Sequence, residues 1–373
     1  MSVLGHPLLA GTPGPRRPRG PVPRHAVLLV PAGLALLAGL DAALLLMDLP
    51  APVSSARLPD VHGPLLVLGF LGTLISLERA VALGRPAGFV APGMLGLGGL
   101  LLLSPAPLPW GGWALVAGAT ALVAVYVLLW RRQRDEAVLV QSLGAVLAVG
   151  AALLWTRGVE VADLLPWLAG FVVLTIAGER LELARLTTGP RAGGQLVALG
   201  SAYSAAAAAA LLWPRLGHPL LGLVVLVLVG WLSRRDVARH TVHAVGLARF
   251  AALGMLSGYG WLGVAGALWL GGRPEAAAYD AVVHAVFLGF TMSMVMAHAP
   301  MILPAVLRRP VPYHPAMLGP LALLHGSLVL RLWLGDALGS TTLWRAGGVL
   351  NIVALLSFVV VASWSATRAG GRS

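Results

Sequence analysis

Runs of roughly twenty predominantly apolar residues follow one another along almost the whole chain, and they constrain the fold more than any other feature. A run of about that length crosses a hydrocarbon core of about 30 Å as an α-helix. In lipid each backbone N–H and C=O must find its partner inside the protein, so only helices and closed barrels can span. A barrel would be written in segments of about ten residues with alternating polarity, and none is present. The sequence therefore predicts an all-α polytopic membrane bundle of about 12 transmembrane helices. Composition agrees: 58% of the 373 residues are hydrophobic and 11% are charged, where a soluble domain carries about 25% charged residues.

The predicted helices cover 26–47, 61–83, 87–103, 110–130, 137–155, 164–186, 193–213, 216–232, 249–270, 280–307, 316–335 and 343–366. They form a single transmembrane domain, 26–366, between a Pro-, Gly- and Arg-rich tail (1–25) expected to be disordered and a short tail (367–373). The first apolar run is long and has no small-residue cleavage site after it, so no cleaved signal is expected. The arginines support the helix count. One side of the alternating topology receives Arg79, Arg85, Arg131, Arg132, Arg134, Arg180, Arg185, Arg191, Arg234, Arg235, Arg239, Arg249, Arg308, Arg309, Arg368 and Arg372. The other side receives only Arg57, Arg157, Arg215, Arg273, Arg331 and Arg345, with most of the acidic loop residues. Positive charge stays on the cytoplasmic side, so both termini are expected there, in a cell (inner or plasma) membrane. The net charge of +12 follows from this bias and does not imply nucleic acid. Trp110, Trp130, Trp155, Trp213 and Trp231, near predicted helix ends, read as an interfacial belt.

Every fourth helix carries a shared pattern. In helix 2, Gly69-Phe70 is followed nine residues after the glycine by Glu78-Arg79; in helix 6, Gly170-Phe171 by Glu179-Arg180; in helix 10, Gly289-Phe290 by His298-Ala299. Each then runs into an arginine and proline turn. Four helices per unit is an even number, so all three copies enter the membrane in the same direction. The expectation is parallel repeats about an axis along the membrane normal, a pseudo-threefold arrangement of four-helix units.

Ionisable residues inside a bilayer are costly and are functional candidates. His62 and His284 fall at similar depth near the outer ends of helices 2 and 10, where two facing imidazoles can hold haem iron by its axial positions. Gly63, Gly69, Gly72, Ala285 and Gly289 would leave room for a flat macrocycle. His298 lies fourteen residues after His284 on nearly the same helix face, with Thr291 between them, but about 21 Å away. It belongs to a second site, with His325 on helix 11 as a further lining residue of either. Cysteine is absent, so any haem is non-covalent, b-type. Glu78-Arg79 and Glu179-Arg180 read first as ion pairs snorkelling near the cytoplasmic helix ends. His240 and His243, in an arginine-rich loop, read as solvated.

Twelve helices, fourfold spacing and histidines on helices 2 and 10 resemble the catalytic subunit of the haem-copper oxidase superfamily. The stretch from His284 to Arg309, with Pro315-Ala316-Met317 and Leu328-Val329-Leu330-Arg331, is similar to NnrS-type haem-containing membrane proteins, as in place are His62 to Gly69-Phe70-Leu71 and Ala177-Gly178-Glu179-Arg180. The resemblance implies three four-helix arcs and a haem held between helices 2 and 10 by His62 and His284. It also implies a role in nitric-oxide stress or electron transfer, with nitric oxide or another small gas as ligand and an electron donor as partner. The oxidase pair of histidines two residues apart on helix 10 is missing, as are the copper-ligand histidines on helices 6 and 7. The resemblance therefore does not carry copper, or reduction at a binuclear centre, to this chain. Two other readings stay open: a transporter or channel with Glu78, Glu179 and His298 as a polar ring, and a non-catalytic membrane scaffold.

Overall fold

The computed structural model describes residues 23–184 and 189–371. The expected tail over 1–22, together with Arg185 and Arg372, lies outside the described residues. Among those described, twelve helices are long and apolar enough to cross a membrane: α1 Arg24–Leu46, α2 Arg57–Leu83, α3 Pro86–Leu103, α4 Leu108–Gln133, α5 Glu136–Thr156, α6 Val161–Leu183, α7 Ala192–Leu212, α8 Pro214–Arg235, α9 Leu247–Leu270, α10 Ala276–Leu307, α11 Pro315–Gly335 and α12 Thr341–Arg368. They follow the predicted spans to within a few residues. Arg24 and His25, expected in the tail, already form the opening 3₁₀ turn of α1.

Local chemistry sets the boundaries. Gly84 ends α2 in the left-handed region (φ 67°) and Pro86 opens the next turn. The tight α4–α5 turn uses a left-handed Arg134, and the Asp135 side chain then accepts the Ala137 amide at 3.0 Å, capping α5. Successive helices pack as neighbours, and α12 returns to α1 to close the ring.

Inside that ring stand α2, α6 and α10. Of their most apolar stretches 67, 78 and 67% is buried, against at most 56% for any other helix. The period-four pattern thus marks the three helices on the bundle axis, and the twelve helices form an all-α membrane bundle with pseudo-threefold order. The repeat is also written in the backbone. Gly69-Phe70 and Gly289-Phe290 are the fifth and sixth residues of two π-helical stretches, Leu65–Gly72 and Ala285–Met292. A widened turn loosens the regular ladder, and a hydroxyl four residues on bonds the glycine carbonyl: Thr73 to Gly69 at 2.6 Å and Ser293 to Gly289 at 2.7 Å. In α6 the residue matching Leu65 and Ala285 is Pro166, and that helix stays α-helical.

Candidate functional site

Two polar clusters occupy opposite ends of the central trio. The first lies at the end away from the arginine-rich loops. His62 on α2 has Nδ1 3.0 Å from the Gly39 carbonyl of α1. His284 on α10 has Nδ1 2.8 Å from the Asp280 carbonyl and 3.1 Å from its carboxylate. A carbonyl oxygen only accepts, so in both rings Nδ1 carries the hydrogen and Nε2 keeps its lone pair. Neither Nε2 has a hydrogen-bond partner among the described residues.

Arg331, inside the predicted span 316–335, counts with the few arginines of the less basic side. It sits buried within the π-helical stretch Val329–Gly335 of α11. Its guanidinium donates to both Asp280 oxygens at 2.9 and 2.8 Å and stacks 4.5 Å over Trp344, whose indole N–H also reaches Asp280 at 3.2 Å. Gly347 of α12 makes the room, since a Cβ there would meet Arg331 Cβ at 2.7 Å. The signal in the sequence was a lone arginine inside an apolar run, and Asp280 one helical turn before His284.

The glycines expected to admit a macrocycle have other occupants. A Cβ on Gly289 would lie 2.4 Å from Trp261, on Gly63 2.9 Å from Val161, and on Gly69 3.3 Å from the Gly99 Cα. They serve close helix packing. Ala285 is fully buried.

The second cluster lies at the arginine-rich end. Arg79, 7% exposed, bonds Glu78 beside it at 2.5 Å, Glu182 at 3.2 Å and Gln141 at 3.4 Å, with Glu179 of α6 at 3.6 Å. Arg180, 8% exposed, turns away from Glu179. It donates to both oxygens of Asp236 at 2.8 and 3.0 Å and to His298 Nε2 of α10 at 2.9 Å. Tyr259 of α9 donates to Asp236 at 2.5 Å. Burial pushes the Asp236 carboxyl up, but the bonds from Arg180, Tyr259 and the Ala238 amide outweigh it and hold it below the usual carboxylate range. Both arginines therefore bridge between repeats instead of reaching for the interface, and Asp236 and Tyr259 are partners that sequence reading missed.

The remaining candidates fall as follows. His298 has both nitrogens engaged, Nδ1 donating to Met294 at 2.8 Å and Nε2 accepting from Arg180. His325 accepts from Trp261 at 2.9 Å and lies 3.4 Å from Ser293, tying α9, α10 and α11 together. Glu78, Glu179 and His298 all line one apolar cavity of about 500 Å³, which His62, His284 and His325 do not line. His240 and His243 are exposed. Among the described residues no three His, Cys, Asp or Glu side chains gather as a metal site. Comparison with curated proteins gives no match. The model of a domain of unknown function (DUF8744) matches residues 24–367, nearly the whole bundle, and the chain belongs to that family.

Proposed function

We propose that this multi-pass membrane protein binds a non-covalent haem, which Nε2 of His62 and His284 would hold. One observation carries the reading: two imidazoles on axial helices, each anchored through Nδ1 and each with Nε2 unbonded. That is how metal-ligating histidines are held, the second nitrogen fixing tautomer and ring orientation. Asp280 would orient His284, Arg331 and Trp344 would hold Asp280, and the Gly39 carbonyl would orient His62. The donor set fits the group. The glycines do not supply its cradle, because neighbouring helices fill them.

When bound, haem would supply one-electron transfer or the binding of a small gas. The NnrS-like reading adds nitric oxide as the gas, with the arginine-rich loops and both termini in the cytoplasm. Oxidised and reduced visible spectra of the purified protein, with haem quantified, are the test. Near-stoichiometric haem whose band is lost or shifted in His62→Ala and His284→Ala, but not in the exposed His240→Ala, is the expected result. Colourless protein after expression with ample haem, or spectra unchanged in both variants, rules the proposal out.

A further inference from the structure

The threefold pattern is incomplete at one seam. Position nine after each repeat glycine is Glu78, Glu179 or His298, and the next is Arg79, Arg180 or Ala299. Arg79 approaches Glu179 of the following unit, and Arg180 donates to His298 of the one after. By the same rule an arginine at 299 would reach Glu78 and close the ring. Ala299 cannot, and the cavity of about 500 Å³ opens at that seam, lined by Ala299, Glu78 and Glu179.

Among the described residues three carboxylates, Glu78, Glu179 and Glu182, stand against two guanidinium groups, Arg79 and the wall residue Arg309. Arg79 is the only guanidinium within 4.0 Å of Glu78, Glu179 and Glu182 among the described residues, while Arg180 is taken by Asp236 and His298. Glu179 makes no hydrogen bond among the described residues, and its side chain keeps 17% accessibility while lining the cavity. A low-dielectric site with more carboxylates than cations attracts positive charge. His298 has no lone pair left to compete, because Arg180 occupies it. Arg309 also lies on the wall but makes no ion pair with Glu78 or Glu179 among the described residues; the rest is largely apolar, and Val359 of α12, 48% exposed, lies on it beside the outward-facing Val360. That places an opening on the lipid-facing surface.

We propose that this cavity binds a lipophilic organic cation entering from the bilayer. Its positive centre sits beside Glu78 and Glu179, where the missing arginine would lie, and its apolar body lies between α1, α10 and α12. The volume is within the usual range for small-molecule pockets, about 300–1,000 Å³. The cavity begins at Phe70 and Thr291, about two helical turns from His62 and His284, and uses neither imidazole. Haem loading and cation binding are therefore separable.

Equilibrium binding of radiolabelled tetraphenylphosphonium to the full chain in nanodiscs tests this, with tetraphenylborate as the anion of the same shape. Saturable phosphonium binding is expected, at least tenfold weaker in Glu179→Gln and absent in Ala299→Arg, with no saturable borate binding. Both variants are checked by size-exclusion chromatography, and Glu78→Gln gives a second reading of the carboxylate requirement. Absence of saturable phosphonium binding, equal binding of the borate, or full affinity in both glutamine variants overturns the proposal.

Discussion

Both ends of the bundle hold a buried guanidinium against carboxylates on a central helix, yet the two ends are built differently. Arg331 meets one carboxylate, Asp280, in a bidentate pair closed by the Trp344 ring and indole N–H. Arg79 is shared among Glu78, Glu179 and Glu182. A matched pair is neutral as a unit and has no capacity left, so it can only hold something else in place, here the Nδ1 side of His284. An unmatched set keeps charge in reserve for a ligand. The difference assigns positioning to one end and recognition to the other.

The largest effect should come from breaking the matched pair. Arg331→Ala leaves Asp280 without its cation, with only His284 and Trp344 beside it among the described residues, and removing one partner of a buried pair costs about 3–5 kcal/mol. Adding Asp280→Leu should recover much of the loss, since replacing both partners by apolar groups is often close to neutral. Unfolding in detergent measures both. Losses that simply add would mean the pair is not a unit, and the contrast between the two ends would fall with it.

Asp236 gives a comparison within the arginine-rich end itself. Its carboxyl is depressed by Arg180 and Tyr259 against the effect of burial. A carboxylate whose folded value lies below its unfolded value of about 3.9 contributes stability that is complete above that value and is lost as pH falls through it towards the folded one. Thermal midpoints should therefore drop between about pH 5 and pH 3, and Asp236→Asn should flatten that slope while lowering stability at neutral pH. An unchanged slope in the variant would take Asp236 out of the acid response.

The axis between the ends is the place for a smaller effect. Gly289→Ala drives a methyl to 2.4 Å from Trp261, and overpacking of this kind costs about 1–3 kcal/mol. Gly260→Ala meets nothing within 4 Å and should be neutral or mildly stabilising as a helix substitution. Equal effects at the two sites would mean that α9 gives way to α10 freely.

These contrasts also measure how much the sequence disclosed. The spans and the repeat were legible because bilayer thickness fixes run length and similar residues recur at fixed offsets. Partners were not. Gly63, Gly69 and Gly289 announce close approach, but whether a ligand, Val161, Gly99 or Trp261 makes it depends on contacts between distant segments. Arg180 stands next to Glu179 in the chain and pairs instead with Asp236, fifty-six residues away. Arg331 falls inside a predicted span, but its partner was not legible: the π-helical stretch and Gly347 carry it into the bundle, onto a carboxylate fifty-one residues away.

The smallest expected effect is the most discriminating. Asp280→Asn removes the only carboxylate bonded to Arg331 among the described residues and leaves a buried guanidinium without a counter-charge, so a clear loss of stability is expected. Glu179→Gln is the same chemical change on an equally central helix, but it takes one negative charge from a set that has too many. Arg79 keeps Glu78 and Glu182, and a like-charge repulsion disappears. Stability should stay within about 1 kcal/mol of wild type or rise, measured in the same unfolding assay. If Glu179→Gln costs as much as Asp280→Asn, the carboxylates around Arg79 are all needed to satisfy it, there is no charge in reserve, and the cavity has no electrostatic reason to select a cation.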